Sequence, residues 1–171
     1  MRVFLIGFMC SGKSTVGRQL APLLGLPFID LDREVEARVG PLLPFIQRHG
    51  EAAFRAREAA VLQELAVGAA AVIATGGGTP CAPGHMELMR RAGSVVWIDV
   101  PMPALMPRIV RAGGDRPLLF GLKGAALEQR VAQLLSARTP RYALAHHRID
   151  GDGAPAEVAS RIAAALGDQA R

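Results

Sequence analysis

Eight residues near the N-terminus limit what this chain can fold into. Gly7-Phe8-Met9-Cys10-Ser11-Gly12-Lys13-Ser14 satisfies the pattern G-x-x-x-x-G-K-[ST] in full. An apolar run, Val3 to Ile6, precedes it, and a stretch with helical spacing, Lys13 to Leu24, follows. The glycines let the backbone turn with its N–H groups aimed inward, which makes an anion nest at a helix N-terminus. Lys13 supplies a compact cation for β- and γ-phosphates, and Ser14 offers a hydroxyl to Mg²⁺. The chain has 18 arginines and only two lysines, Lys13 and Lys123. A lysine at position 13 therefore suggests a point charge on a thin stem, a task for which a guanidinium is unsuited.

Beyond the loop, strand and helix signals alternate. Strands are expected at Arg2–Gly7, Leu26–Asp30, Ala70–Ala74, Ser94–Val100 and His147–Asp150. Helices are expected at 13–24, from Asp32 to Val39, at Ala52–Ala66, His85–Arg91, Met102–Arg111, Leu127–Ala137, Tyr142–His146 and Glu157–Leu166. The helical pattern breaks around Gly40, Pro41 and Pro44, and Gly113–Gly124 reads as a mobile loop. Such alternation predicts an α/β fold of three layers, a central five-stranded parallel sheet flanked by helices, with ligands at the carboxyl ends of the strands. With 171 residues the chain is expected to form one domain, 1–171.

Composition narrows the function. There is no asparagine, so the Asn-Lys-x-Asp base-reading motif of GTPases is absent. The net charge of +5 comes from arginines scattered along the chain, and aromatic residues make up only 5%. No platform for stacking nucleic-acid bases is expected, and a small anionic ligand explains the charge better. No apolar run is long enough to span a bilayer, and Val3–Ile6 is too short for a signal-peptide core, so a cytoplasmic protein is expected. Cys10 and Cys81 form neither a disulfide framework nor a metal site.

Three further features suit an acceptor site, and each has a plainer reading. Asp30 and Asp32 close the second strand, where a period of two puts both carboxylates toward the crevice. One carboxylate could orient a hydroxyl and accept its proton while the other serves a metal; alternatively, Asp32 only caps the next helix. Arg55 and Glu58 lie three apart on one helix face, as a solvated ion pair or as a rigid fork for a substrate carboxylate. Gly76-Gly77-Gly78 after a buried strand suits close backbone approach to a ligand, or a tight turn.

Taken in order, these motifs are joined by Gly50-Glu51-x-x-Phe54-Arg55-x-x-Glu58, Arg116-Pro117-Leu118-Leu119 and Arg138-x-Pro140-x-Tyr142. The series resembles that of the shikimate kinases, P-loop enzymes related to the nucleoside-monophosphate kinases, and it covers nearly the whole chain. The resemblance implies ATP-dependent phosphorylation of the 3-hydroxyl of shikimate, a step toward chorismate and the aromatic amino acids. It implies ATP contacts at Cys10, Ser11, Gly12, Lys13, Ser14, Thr15 and Arg116, with Ser14 and Asp30 serving Mg²⁺. Shikimate would meet Asp32, Arg55, Gly76, Gly77, Gly78 and Arg138, with Phe45 and Phe54 lining the pocket. Lys13, Asp32 and Arg116 would be catalytic, Arg116 riding on a lid at 113–124, and the substrate-binding region would span about 32–60. A monomer acting on small molecules, without nucleic acid or membrane, is implied. The chain departs from the family at Cys10, where glycine is usual, at Pro41-Leu42-Leu43-Pro44, and in a short stretch before Arg116. A related hydroxyl kinase, such as a gluconate or nucleotide kinase, and a non-catalytic shikimate-binding regulator stand as alternatives.

Overall fold

The computed structural model describes residues 1–113 and 117–167. The chain runs β1 (Arg2–Ile6), α1 (Lys13–Leu23), β2 (Phe28–Asp30), α2 (Leu31–Val39), α3 (Leu42–His49), α4 (Glu51–Val67), β3 (Ala71–Ala74), α5 (His85–Ala92), β4 (Ser94–Asp99), α6 (Met102–Ala112), α7 (Gly124–Tyr142), β5 (His147–Asp150) and α8 (Pro155–Gly167). The strands form one parallel sheet in the order β2-β3-β1-β4-β5. This is the predicted α/β architecture, a five-stranded sheet between layers of helices.

The central strands are apolar on both faces because helices cover both. Val3, Phe4, Leu5 and Ile6 of β1 are wholly buried, as are Val95, Val96 and Ile98 of β4. Each such side chain contributes about 1.5–3 kcal/mol relative to exposure. An interior run of this kind forces the polar loops to the strand ends, and the register aligns those ends. Asp30 of β2 pairs with Ala74 of β3, which pairs with Leu5 of β1. Asp30, the triple-glycine loop and the phosphate loop thus leave the sheet at one level, side by side. β1 is where the strand order reverses, the position at which open α/β sheets hold their ligands.

Three local expectations are corrected. The Pro41–Pro44 stretch begins a helix, α3, instead of breaking one: Pro41 is its N-cap and Pro44 falls in its first turn, where no N–H is needed. Residues 124–142 form one continuous helix where two pieces were expected. Pro140 sits in its last turn, so α7 ends two residues later with Arg138 still inside it. Finally, Asp30 ends β2 and Asp32 lies in the first turn of α2. It is Asp30, not Asp32, that caps α2, accepting from the Arg33 N–H at 3.4 Å. Among the described residues no helix is long and apolar enough to cross a membrane.

Candidate active site

The phosphate loop is shaped by close contacts. Gly7 has φ of 147°, and a Cβ there would stand 2.6 Å from the Ile98 carbonyl oxygen, so no other residue fits. Gly12 caps α1 in the left-handed region with φ of 92°. Cys10 is the one non-glycine residue with positive φ, 60°, among those described. This gives the family's usual glycine a physical reason, and shows Cys10 held in a conformation that L-residues adopt at a cost. The Lys13 ammonium is buried and donates to the Gly7 and Phe8 carbonyls at 2.9 and 2.8 Å. The Ser14 hydroxyl donates to Asp30 Oδ2 at 2.6 Å. Ser11 Oγ is buried with no hydrogen-bond partner among the described residues.

Three cavities follow one another along this loop. The largest, about 780 Å³, is bounded by Lys13, Ser14, Asp30 and Asp32. A second, about 350 Å³, shares Cys10, Gly12 and Thr15 with it and reaches Arg108 and Pro155. The third, about 320 Å³, shares Met9, Asp32, Gly76 and Gly77 with the first and extends away from the loop. In the last cavity Asp32, Arg55, Glu58 and Arg138 face an apolar wall of Leu42, Ile46, Phe54 and Leu118. Asp32 therefore stands at the junction of a phosphate cleft and an acceptor cleft.

The acceptor cleft is set by side chains on four helices, α2, α3, α4 and α7, and by the loop after β3. Glu58 on α4 is wholly buried; it accepts from Arg55 Nη1 at 2.7 Å and from the Thr79 hydroxyl at 2.6 Å. The Arg55–Glu58 pair is therefore no solvated surface bridge but a braced fork. Burial pulls the Arg55 pKa down, yet the charge and hydrogen bond of Glu58 outweigh it, so Arg55 stays cationic. A methyl on Gly76 would lie 2.9 Å from Asp32 Oδ1, and one on Gly78 2.6 Å from Arg55 Nη2. The glycines let backbone and charged groups converge on one small volume. Arg138 on α7 is also buried, its guanidinium 5.5 Å above the Phe8 ring. Among the described residues no carboxylate forms a salt bridge with it.

Asp32 is the perturbed acid of the site. Burial, then the charges of Glu58 and Asp30, push its pKa up to about 6, while Lys13 opposes them. A carboxylate raised that far has become a better base and is still mostly ionised at neutral pH.

The structure brings together Lys13, Ser14, Asp30, Asp32, Arg55, Gly76, Gly77, Gly78 and Arg138, with Cys10, Ser11, Gly12 and Thr15 lining the phosphate end. Arg116 lies outside the described residues. Phe45 is not among the cleft residues; it stacks on His49 with ring centroids 4.7 Å apart, and Leu42 and Ile46 take the place expected of it. Sequence reasoning missed Arg108, which reaches the cleft beyond Cys10 from α6 with no local pattern to mark it.

A parallel sheet with this strand order, a phosphate loop at the switch point and an adjoining cleft of braced arginines define a P-loop kinase for a small acceptor. The family model for shikimate kinase matches residues 9–167. The shikimate kinase of Halorhodospira halophila is 44% identical over 98% of this chain and 94% of its own. The structure of the Acinetobacter baumannii shikimate kinase in complex with shikimate superposes with a TM-score of 0.89 at 37% identity, covering 98% of this chain and 93% of that one. The chain belongs to the shikimate kinase family. A gluconokinase from Sinorhizobium meliloti shares the fold, with a TM-score of 0.60 at 19% identity and coverage of 99% and 97%.

Proposed function

We propose that this protein transfers the γ-phosphoryl group of ATP to the 3-hydroxyl of shikimate, giving shikimate 3-phosphate and ADP on the way to the aromatic amino acids. Arg138 carries the reading: a buried guanidinium with no carboxylate partner among the described residues faces a cleft that opens onto the phosphate loop at Asp32. A buried charge of this kind calls for an anionic partner, and a substrate carboxylate supplies it bidentately. The apolar wall of Leu42, Ile46, Phe54 and Leu118 suits the carbon face of a ring better than an open chain hydroxylated at every carbon. That favours shikimate over gluconate.

Arg55 and Arg138 hold the carboxylate, while Asp32 and the backbone of Gly76–Gly78 hold the hydroxyls. Asp32 accepts the proton of the 3-hydroxyl as its oxygen attacks the γ-phosphorus, and the bond to the β,γ-bridging oxygen breaks to release ADP. Lys13 and the loop N–H groups neutralise charge on the phosphates. Ser14 and Asp30 are an all-oxygen donor pair 2.6 Å apart, which fits Mg²⁺, a hard ion that keeps most of its waters. Bound with the nucleotide, Mg²⁺ supplies further neutralisation of phosphate charge. The cavity reaching Arg108 and Pro155 takes the adenine. From its motif, Arg116 is assigned to the transferring phosphate, on a lid at 113–124 that excludes water. The protein acts as a one-domain monomer in the cytoplasm.

The test is ADP release by purified protein with MgATP and a panel of shikimate, gluconate and nucleoside monophosphates. Turnover is expected with shikimate, and ADP at background level with shikimate would sink the proposal.

A further inference from the structure

Among the buried polar groups that the mechanism above leaves unused is the Tyr142 hydroxyl. Tyr142 closes α7 and is wholly buried, its ring 5.9 Å from that of Trp97. Its hydroxyl donates to the Gly77 carbonyl at 2.6 Å, across 65 positions of sequence. Arg138 lies four residues earlier on the same helix face, and its charge acts on the same hydroxyl. Gly77 in turn has little room for a side chain. A Cβ on it would stand 3.2 Å from Arg138 Nη1 and 3.2 Å from the Met9 backbone nitrogen. Gly77, the central glycine of the loop that forms the cleft floor, therefore meets the end of α7 through its carbonyl and the guanidinium of the acceptor cleft through its Cα side.

We infer that Tyr142 is a positioning residue for the acceptor: its hydroxyl fixes Gly77 against Arg138, so that the guanidinium and the loop backbone meet the substrate in one fixed arrangement. The inference rests on the acceptor reading proposed above. The chemistry suits the task. A tyrosine hydroxyl donates one hydrogen bond, and here the acceptor is the Gly77 carbonyl. Burial holds its pKa well above the ordinary tyrosine value, with the Arg138 charge opposing, so the proton stays on the oxygen at any working pH. A guanidinium on a long side chain is costly to hold still. A glycine loop pinned by a rigid hydroxyl limits where that guanidinium can lie before substrate arrives, which lowers the ordering cost of binding.

The inference separates from a plain packing role. Tyr142→Phe removes only the oxygen and keeps the ring against Trp97. It is expected to raise the shikimate KM about tenfold, in line with losing one buried hydrogen bond, with a much smaller change in kcat and none in the ATP KM. Equilibrium titration of shikimate without nucleotide should show the same weakening. Trp97→Phe disturbs the ring's packing without touching the hydroxyl, so it should lower Tm and leave the shikimate KM unchanged. In an Arg138→Ala background, Tyr142→Phe should add little further loss, because its effect passes largely through Arg138. If Tyr142→Phe binds shikimate as wild type does, or weakens ATP and shikimate alike, the positioning role is overturned. Wild-type protein that neither binds nor turns over shikimate would remove the functional reading, and this inference with it.

Discussion

The phosphate cleft and the acceptor cleft share Met9, Asp32, Gly76 and Gly77, yet they are built from different materials. The phosphate side is mostly backbone: consecutive N–H groups, glycines at positive φ, and one lysine folded onto loop carbonyls. The acceptor side is mostly side chain. Asp32 comes from α2, Arg55 and Glu58 from α4, and Arg138 from α7, more than a hundred residues along the chain from Asp32. A backbone site tolerates changes at its variable positions, as Cys10 shows. A site made of charged side chains has no such latitude, because each buried group needs its partner. The donor, a nucleotide triphosphate, presents phosphates that a nest of N–H groups can hold; the acceptor presents a carboxylate and hydroxyls that need individual partners.

That contrast can be broken at several points. The largest effect is expected for Lys13, the buried charge that α1 brings to the phosphate loop. Lys13→Ala should lower kcat/KM about a thousandfold in steady-state assays. Lys13→Arg should recover little, since the bulkier planar head cannot sit on the Gly7 and Phe8 carbonyls in the same way.

Next is Asp32. Asp32→Asn should lower kcat several hundredfold while nucleotide titration shows ATP binding nearly unchanged. In wild-type enzyme, kcat/KM for shikimate should fall as pH drops through about 6, because protonated Asp32 cannot accept the hydroxyl proton. Stability carries the opposite sign. The folded state binds the Asp32 proton more tightly than the unfolded state, so the ionised carboxylate opposes folding. The penalty is absent below pH 3.8, grows toward about 6 and is complete above it. Asp32→Asn should therefore raise Tm at pH 7.5, with the gain shrinking as pH falls toward 4. A flat pH–rate profile between pH 5 and 8 would remove Asp32 from proton transfer.

Arg138→Ala should raise the shikimate KM about fiftyfold, as loss of a charged, bidentate contact implies, with little change in the ATP KM. The smallest effect is expected at Cys10. Cys10→Gly relieves a strained φ of 60° but gives up chain entropy on folding, so stability should change by about 1 kcal/mol or less in urea titrations. Cys10→Val should be clearly worse, because a β-branched residue cannot take that conformation cheaply.

The same contrast explains what the sequence disclosed. The phosphate loop was readable because strand, loop and helix are contiguous, and motif and geometry are the same local fact. The sheet was readable because a parallel strand covered on both faces needs an unbroken apolar run, as in Val3–Ile6. The acceptor site was different. From spacing alone Arg55–Glu58 fitted a surface ion pair better; only the complete burial of Glu58, which depends on α4 packing under the glycine loop, decides otherwise. The role of Asp30 as helix cap was hidden because strand and helix meet with no intervening loop, so either aspartate could have served. Pro44 and Pro140 misled because proline is harmful inside a helix and tolerated in its end turns, and the ends are what a sequence marks least well. Arg108 carries no local signal, and the motif that marks Tyr142 does not disclose the partner of its hydroxyl, Gly77, which is distant in sequence.

Recognition of a carboxylate by Arg138 and Arg55 is the centre of this reading, and it can be measured by comparing shikimate with its carboxamide in the ADP-release assay. With wild-type protein the acid should exceed the amide about a hundredfold in kcat/KM, the range for losing a desolvated charge pair. With Arg138→Ala the gap should narrow sharply. Equal turnover of acid and amide by the wild-type enzyme would contradict it.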